Sequence, residues 1–143
     1  MRFRRDGMSF DYPDDWRLEI DDEVHIGPGV TVFSPDGGLW TVVLGDEAID
    51  PRDQIEAVVA QLRRDYGDVE VEEAADEIEG WPLAGLDFHF ISFDLTVTAA
   101  VRVLAAGPAT YVVFCQADDE EWDRISPVFT AMTTSLVRGL SGD

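Results

Sequence analysis

Apolar and polar residues alternate along the first part of the chain, in short runs that turn signals separate. "MSFDY" and "WRLEI" both alternate, and the "PDD" between them favours a turn. "EVHIG" and "VTVFS" follow, separated by Gly27-Pro28-Gly29. After a further turn at "SPDGG", the apolar run "LWTVVLG" is typical of a central strand. We therefore predict a series of short β-strands here.

The hydrophobic period then changes to that of a helix. Apolar residues recur at helical spacing at Ile55, Val58, Val59, Leu62 and Tyr66. The run also has start and stop signals, because Asp50 suits an N-cap, Pro51 suits the first helical position and Gly67 suits the C-terminal end. The spacing predicts a helix over about 51–66.

The rest of the chain predicts four strands and a closing helix. "VEVEEAADEIEG" is acidic and alternates weakly, as an edge strand protected from pairing does. "WPLAGLDFHFISF", "LTVTAAVRVLAAG" and "TYVVFCQA" predict an antiparallel meander with tight turns at Asp94-Leu95 and Gly107-Pro108. After a helical turn at "DDEEWDR", Ser126-Pro127 predicts the start of the last helix and Gly139 its end.

This order of elements predicts an α+β fold in which helices flank an antiparallel β-sheet. No repeat, low-complexity run or linker divides the 143 residues, so we expect a single domain over 1–143. At 45% hydrophobic residues, a chain of this length can bury one sizeable core.

The opening "F.YP..W" within "SFDYPDDW", the middle helix, the long meander and the closing helix with "MTTSL" together resemble the PsbP-like domains. That superfamily includes the Ran-binding Mog proteins and the DcrB-type bacterial proteins. The resemblance implies an αβα sandwich and a non-enzymatic role, because members of known function act as binding, assembly or adaptor modules for other proteins. In this reading "SFDYPDDW" is a folding corner and not a metal site.

Charge narrows the choice of partner. The chain has 30 acidic and 10 basic residues, all arginine, and a net charge of −20. Such a field repels phosphate backbones, so we expect neither nucleic acid nor an anionic membrane as a partner. A solvated acidic surface with no partner, adaptation to high salt and a basic protein partner all fit this composition.

No run approaches the roughly 20 apolar residues that span a bilayer. The basic start "MRFRRDGMSF" lacks the apolar segment of a secretory signal, and one cysteine, Cys115, cannot form an internal disulfide. We therefore expect a cytoplasmic protein.

Strand pairing across the predicted meander gives the sheet two different faces. The register pairs Phe93 with Thr96, His89 with Ala100, Asp87 with Arg102, and Ala100 with Cys115. One face is apolar and is expected under the helices: Leu86, Phe88, Phe90, Val97, Val101, Val103, Val112 and Phe114. The other is mixed and open to a ligand or partner: Asp87, His89, Ile91, Phe93, Thr98, Ala100, Arg102, Val113 and Cys115.

Candidate chemistry on the mixed face is weak. Cys115 and His89 lie two strands apart, about 10 Å between backbones, which is too far for a nucleophile and its base. Asp87 is expected to form a cross-strand ion pair with Arg102. The acidic clusters lack the spacing of a calcium loop, and His25 and His89 are in different strands, so we expect no metal, no cofactor and no catalytic residues.

These observations predict a non-catalytic binding or adaptor domain that acts through protein–protein interaction. Its partner is expected to be another protein, with a homodimer as a possibility. The predicted docking residues are Asp87, His89, Phe93, Thr98 and Arg102. The alternative is a small-molecule or ion-binding domain that uses the same mixed face.

Overall fold

The computed structural model describes residues 1–5, 8–21, 29–45, 50–106 and 109–140. These residues form nine β-strands and two α-helices: β1 (Arg2–Arg5), β2 (Met8–Asp11), β3 (Arg17–Asp21), β4 (Gly29–Phe33), β5 (Leu39–Gly45), α1 (Pro51–Tyr66), β6 (Val69–Ile78), β7 (Trp81–Ser92), β8 (Leu95–Ala106), β9 (Ala109–Asp118) and α2 (Asp119–Leu140).

Seven strands form one antiparallel sheet in the order β3-β4-β5-β9-β8-β7-β6. The predicted meander is therefore confirmed as β7-β8-β9, and "LWTVVLG" is an interior strand. The acidic strand β6 lies at an edge, where its carboxylates discourage pairing with another chain. The strands β1 and β2 form a separate ribbon.

Helices cover opposite faces of this sheet. Leu62 of α1 packs with Phe88 and Val101 on one face, whereas Leu136 of α2 packs with Trp40 on the other. The αβα sandwich is therefore confirmed. The expectation that both helices lie on the apolar face and leave the mixed face open is wrong, because α2 covers part of the mixed face, where Val113 is buried. Alternation along each strand produces this arrangement, since neighbouring side chains point to opposite sides.

The stretch "SFDYPDDW" is a folding corner. Phe10 and Trp16 are buried in the core under α2, and the Phe10 ring centroid lies 4.7 Å from that of Trp40. Strand β1, which the sequence analysis missed, pairs with β2 in front of this corner. A hydrogen-bonded ion pair from Arg2 Nε to Asp11 Oδ1, 2.8 Å long, joins the two strands on their exposed side.

The helix α1 has the predicted limits. The side chain of Asp50 accepts a hydrogen bond from Arg52 N, and Gly67 ends the helix with a positive φ. The predicted start of the last helix at Ser126-Pro127 is wrong, because α2 runs without interruption from Asp119 to Leu140. Pro127 lies on the exposed side, and burial of the opposite side of the helix offsets the hydrogen bond that proline removes.

The β7–β8 register differs from the predicted one. Phe93 and Asp94, and not Asp94 and Leu95, occupy the centre of the turn, so His89 pairs with Thr98 and Asp87 with Ala100. The shift in pairing is two residues, which leaves every side chain on its predicted face.

This register places Gly85 opposite Arg102. A Cβ on Gly85 would lie 1.9 Å from the carbonyl oxygen of Val101 and 3.0 Å from Cδ of Arg102. Only glycine fits there, which gives a physical reason for the observed pairing. The β8–β9 register is as predicted, with Ala100 opposite Cys115.

Some predictions fall outside the described residues: the whole of "EVHIG" (23–27) with His25, the residue Pro28, and the Gly107-Pro108 turn. Neither of the two described helices is both long and apolar enough to cross a bilayer.

Replacement of Gly85 by alanine should lower the free energy of unfolding by at least about 2 kcal/mol, because the new methyl group collides with the backbone of β8. Chemical denaturation measures the change. The neighbouring exposed position provides the control, since Ala84→Ser adds an atom where there is space and should change stability by less than about 0.5 kcal/mol. Equal stability of Gly85→Ala and the parent protein would contradict the observed register.

Candidate functional site

The five predicted docking residues lie in three places along the mixed face of β7 and β8. Phe93 is at the tip of the hairpin that joins these strands. His89 and Thr98 form a pair near the hairpin, with 3.2 Å between His89 Nδ1 and Thr98 Oγ1. Asp87 and Arg102 lie further along, in a cavity beside α2. The structure therefore does not gather them into one site.

The hairpin extends beyond both neighbouring strands. On one side β6 begins with the pair Val69–Phe90, and on the other β9 ends with the pair Asp118–Val97. Residues 91–96 thus pair only within the hairpin itself. We refer to residues 91–96 as the projecting hairpin.

Large apolar side chains of the projecting hairpin face solvent. Phe93 is 99% exposed, Ile91 65% and Leu95 56%. Strand alternation predicts Ile91 on the mixed face but outside the docking residues, and the predicted turn at Asp94-Leu95 is wrong for Leu95, which belongs to β8. Both side chains are exposed because β6 begins opposite Phe90 and β9 ends opposite Val97, so neither strand extends to the tip of the hairpin.

The turn of the projecting hairpin carries backbone strain. Phe93 and Asp94 have φ values of 50° and 65°, in the left-handed region. A tight two-residue hairpin turn with two positive φ values favours Asn-Gly, and a bulky residue in this conformation costs roughly 1–2 kcal/mol. Since the ring of Phe93 is almost fully exposed, packing against the described residues does not offset that cost.

Beside the projecting hairpin lies a depression of about 600 Å³, which we call the acidic notch. It is lined by Tyr66, Asp68, Val69, Glu70, His89, Phe90, Ile91, Thr96, Val97 and Asp119. Thr98 lies next to it and donates a hydrogen bond of 2.6 Å to Oδ1 of Asp119. This bond attaches the first residue of α2 to β8, so the notch has a fixed inner wall.

A second depression, of about 330 Å³, lies between α2 and the mixed face, and we call it the α2 cavity. Asp87 and Arg102 line it together with Asp76, Cys115 and Trp122. Arg102 Nη2 donates to Asp87 Oδ1 over 2.8 Å, and its Nε donates to Asp76 Oδ2 over 2.6 Å. The expected ion pair between Asp87 and Arg102 is thus present. The two residues are diagonal neighbours and not directly opposite each other, and Asp76 provides a second carboxylate.

Arg102 is an internal structural cation. Its guanidinium also donates to the carbonyl oxygens of Leu86 and Val101, so four hydrogen bonds use most of its five N–H groups. Burial acts to lower the pKa of Arg102, but the hydrogen bonds to Asp76 and Asp87 outweigh it and raise the pKa above its ordinary value.

Cys115 and His89 are not a catalytic pair. Cys115 lines the α2 cavity, whereas His89 lines the acidic notch and contacts Thr98. Burial raises the pKa of the Cys115 thiol to about 12, so the thiol is protonated at neutral pH. Within the described ranges, no group of three or more His, Cys, Asp or Glu side chains is arranged to hold a metal ion.

Comparison with known proteins shows a likeness in structure and not in sequence. No family model and no curated protein sequence matches the chain. Its structure is similar to that of the PsbP protein CyanoP of the cyanobacterium Synechocystis, with a TM-score of 0.65 and 16% identity over 94% of this chain and 89% of that one.

Two further solved structures are similar. One is LpqN of Mycobacterium tuberculosis, a protein involved in cell envelope biogenesis, with a TM-score of 0.58 and 18% identity over 86% of this chain and 78% of that one. The other is a Pseudomonas aeruginosa protein of unknown function, with a TM-score of 0.53 and 10% identity over 95% and 94%. The fold is therefore PsbP-like, as the sequence resemblance implies.

The Cys115 thiol should react very slowly with the thiol reagent DTNB in the native protein at pH 8. With a pKa of about 12, roughly one thiol in 10,000 is ionised at that pH, and the thiolate is the reactive form. In denaturant the same thiol should react within minutes. Native and denatured protein reacting at similar rates would contradict the raised pKa of this half-buried thiol.

Proposed function

We propose that this chain, which has a PsbP-like fold, is a non-catalytic binding domain that acts by protein–protein interaction, and that the projecting hairpin is its main contact. The PsbP-like resemblance supports an adaptor role by analogy. The observation that carries the proposal is the combination of full exposure and backbone strain at Phe93.

Strain at an exposed residue has a physical interpretation. A bulky side chain in a left-handed turn lowers stability, and no contact within the described chain compensates for it. An aromatic ring on a protruding turn is also well suited to fill a pocket on a partner, where such rings often contribute most of the binding energy. Phe93 is therefore the proposed anchor, with Ile91 and Leu95 beside it.

The other docking residues have supporting roles in this proposal. His89 and Thr98 form the base from which the hairpin projects, and Thr98 connects that base to Asp119 of α2. Asp87 and Arg102 stabilise the same two strands further from the tip. We propose that the first pair lies at the margin of the interface and that the second acts through the shape of the sheet.

Charge favours a different protein over a second copy of this chain. Two chains of net charge −20 repel each other, except in salt high enough to screen them. We propose a heterologous partner, in the cytoplasm.

The α2 cavity supports a second candidate function, the binding of a small molecule. Its volume is at the lower end of the range for ligand pockets. Its main cation, Arg102, is already bonded to two carboxylates and two carbonyls, which leaves it little capacity to hold an anionic ligand. Protein binding through the hairpin is therefore the better supported function.

Replacement of Phe93 by asparagine should separate stability from binding. Asparagine tolerates the left-handed conformation, so the free energy of unfolding should rise by about 0.5–1 kcal/mol. Partner recovery should nevertheless fall by about thirtyfold or more, the loss expected for a buried aromatic anchor. Chemical denaturation measures the first change, and quantitative affinity capture from native lysate measures the second.

Asp94→Gly is the matched control, because it relieves strain at the other turn position and keeps the Phe93 ring. It should also gain stability, yet it should recover the same proteins as the parent domain. If Phe93→Asn recovers its partners as fully as Asp94→Gly does, the hairpin is not the contact and the proposed function is wrong.

A further inference from the structure

We propose that the acidic notch receives lysine or arginine side chains from an extended segment of the partner, a segment that also carries apolar residues against the projecting hairpin. This inference rests on the proposed function and identifies the chemistry of the partner. It assigns a binding role to Asp68, Glu70 and Asp119, which the sequence analysis did not select.

Apolar residues form part of the lining of the acidic notch. Val69, Phe90 and Val97 line it, and the ring of Tyr66 stacks on Phe90 with 4.3 Å between the ring centroids. A lining that is partly apolar and partly polar suits lysine and arginine, which bury their methylene groups while the charged end stays among polar groups.

The rim of the acidic notch is negatively charged. Asp68 and Glu70 are exposed and Asp119 is half-buried, while no arginine is among the residues that line the notch. Arg63 and Arg64 belong to the last turn of α1 and are exposed, and Arg64 Nη2 donates a hydrogen bond to Oε1 of Gln61. The rim therefore presents three carboxylates to a partner, and complementary charge favours Lys and Arg side chains.

The acidic notch and the projecting hairpin form one continuous surface. Ile91 and Thr96 belong to both. Ile91 and Ser92 also have no paired residue in β6, since that strand begins opposite Phe90. An extended segment lying along this edge would present alternate side chains to the notch and to the apolar hairpin. The spacing therefore fits a segment in which basic and apolar residues alternate.

Three synthetic peptides with blocked termini test this inference directly. Their sequences are Leu-Arg repeated three times, the same with glutamate in place of arginine, and the same with serine. Each is titrated into ¹⁵N-labelled protein at low salt. The arginine peptide should shift the amide signals of residues 68–70, 91–96 and 119, and should bind at least about tenfold more tightly than the serine peptide. The glutamate peptide should not bind measurably.

Neutralising the rim provides the second arm of the experiment. The double variant Asp68→Asn with Glu70→Gln should bind the arginine peptide about three- to tenfold more weakly, which is the effect expected from the loss of two exposed ion pairs. Glu56→Gln with Asp123→Asn removes the same charge from exposed positions that do not line the notch, and it should leave the affinity almost unchanged. Both double variants keep side-chain volume, and thermal unfolding verifies that each is folded.

The outcomes separate this inference from the proposed function. If the two double variants lower the affinity for the arginine peptide equally, the attraction is a general effect of net charge and the notch is not a binding site. If all three peptides bind alike, or none shifts the notch signals, the inference fails even when Phe93→Asn abolishes capture of native partners. If Phe93→Asn has no effect on capture but the peptide maps to the notch, the proposed hairpin anchor fails instead.

Discussion

The unequal length of neighbouring strands determines where this domain exposes apolar side chains. Strands β7 and β8 each have 12 residues, whereas β6 and β9 on either side have 10. Backbone groups in the shorter strands cannot reach the end of the hairpin, so residues 91–96 stand alone with three exposed apolar side chains. Contiguous exposed apolar side chains on a soluble domain commonly mark an interaction site.

The middle of the same two strands is held together by polar contacts. Arg102 connects Asp76 of β6, Asp87 of β7 and two backbone carbonyls, and Gly85 provides the space for its stem. Removing one partner of a buried charge lowers stability, so this network fixes the relative positions of three strands. Under the proposed function, a base held in this way reduces the entropy that the projecting hairpin loses on binding.

Sequence periodicity was sufficient for the main architecture. The 3.6-residue pattern and caps of α1 and the two-residue alternation of the meander are local signals, and the structure confirms both. Local signals failed for elements whose limits depend on contacts between residues that are distant in the sequence. The helix α2 passes through Pro127 because its other side is buried against the sheet, and β1 forms because β2 is available to pair with it.

The site was only partly predictable for a related reason. Alternation placed Asp87, His89 and Arg102 on one face correctly, because a two-residue register error does not change the face of a side chain. Neither the strain at Phe93 nor the exposure of Leu95 follows from alternation, since both depend on the exact turn position and on where neighbouring strands end. Glu70 belongs to the predicted acidic edge strand and Asp68 precedes it, and only the structure shows that both line one depression.

The most direct test of the central claim is photo-crosslinking from the tip of the projecting hairpin. The chain has no lysine, so amine-reactive reagents are poorly suited to it. A benzophenone amino acid is therefore placed at position 93 and, as control, at Ile20, an exposed position in the strand at the opposite edge of the sheet. Irradiation in living cells should give a discrete covalent adduct with another protein from position 93 and none from position 20. No adduct from position 93, or the same adducts from both positions, would contradict the account.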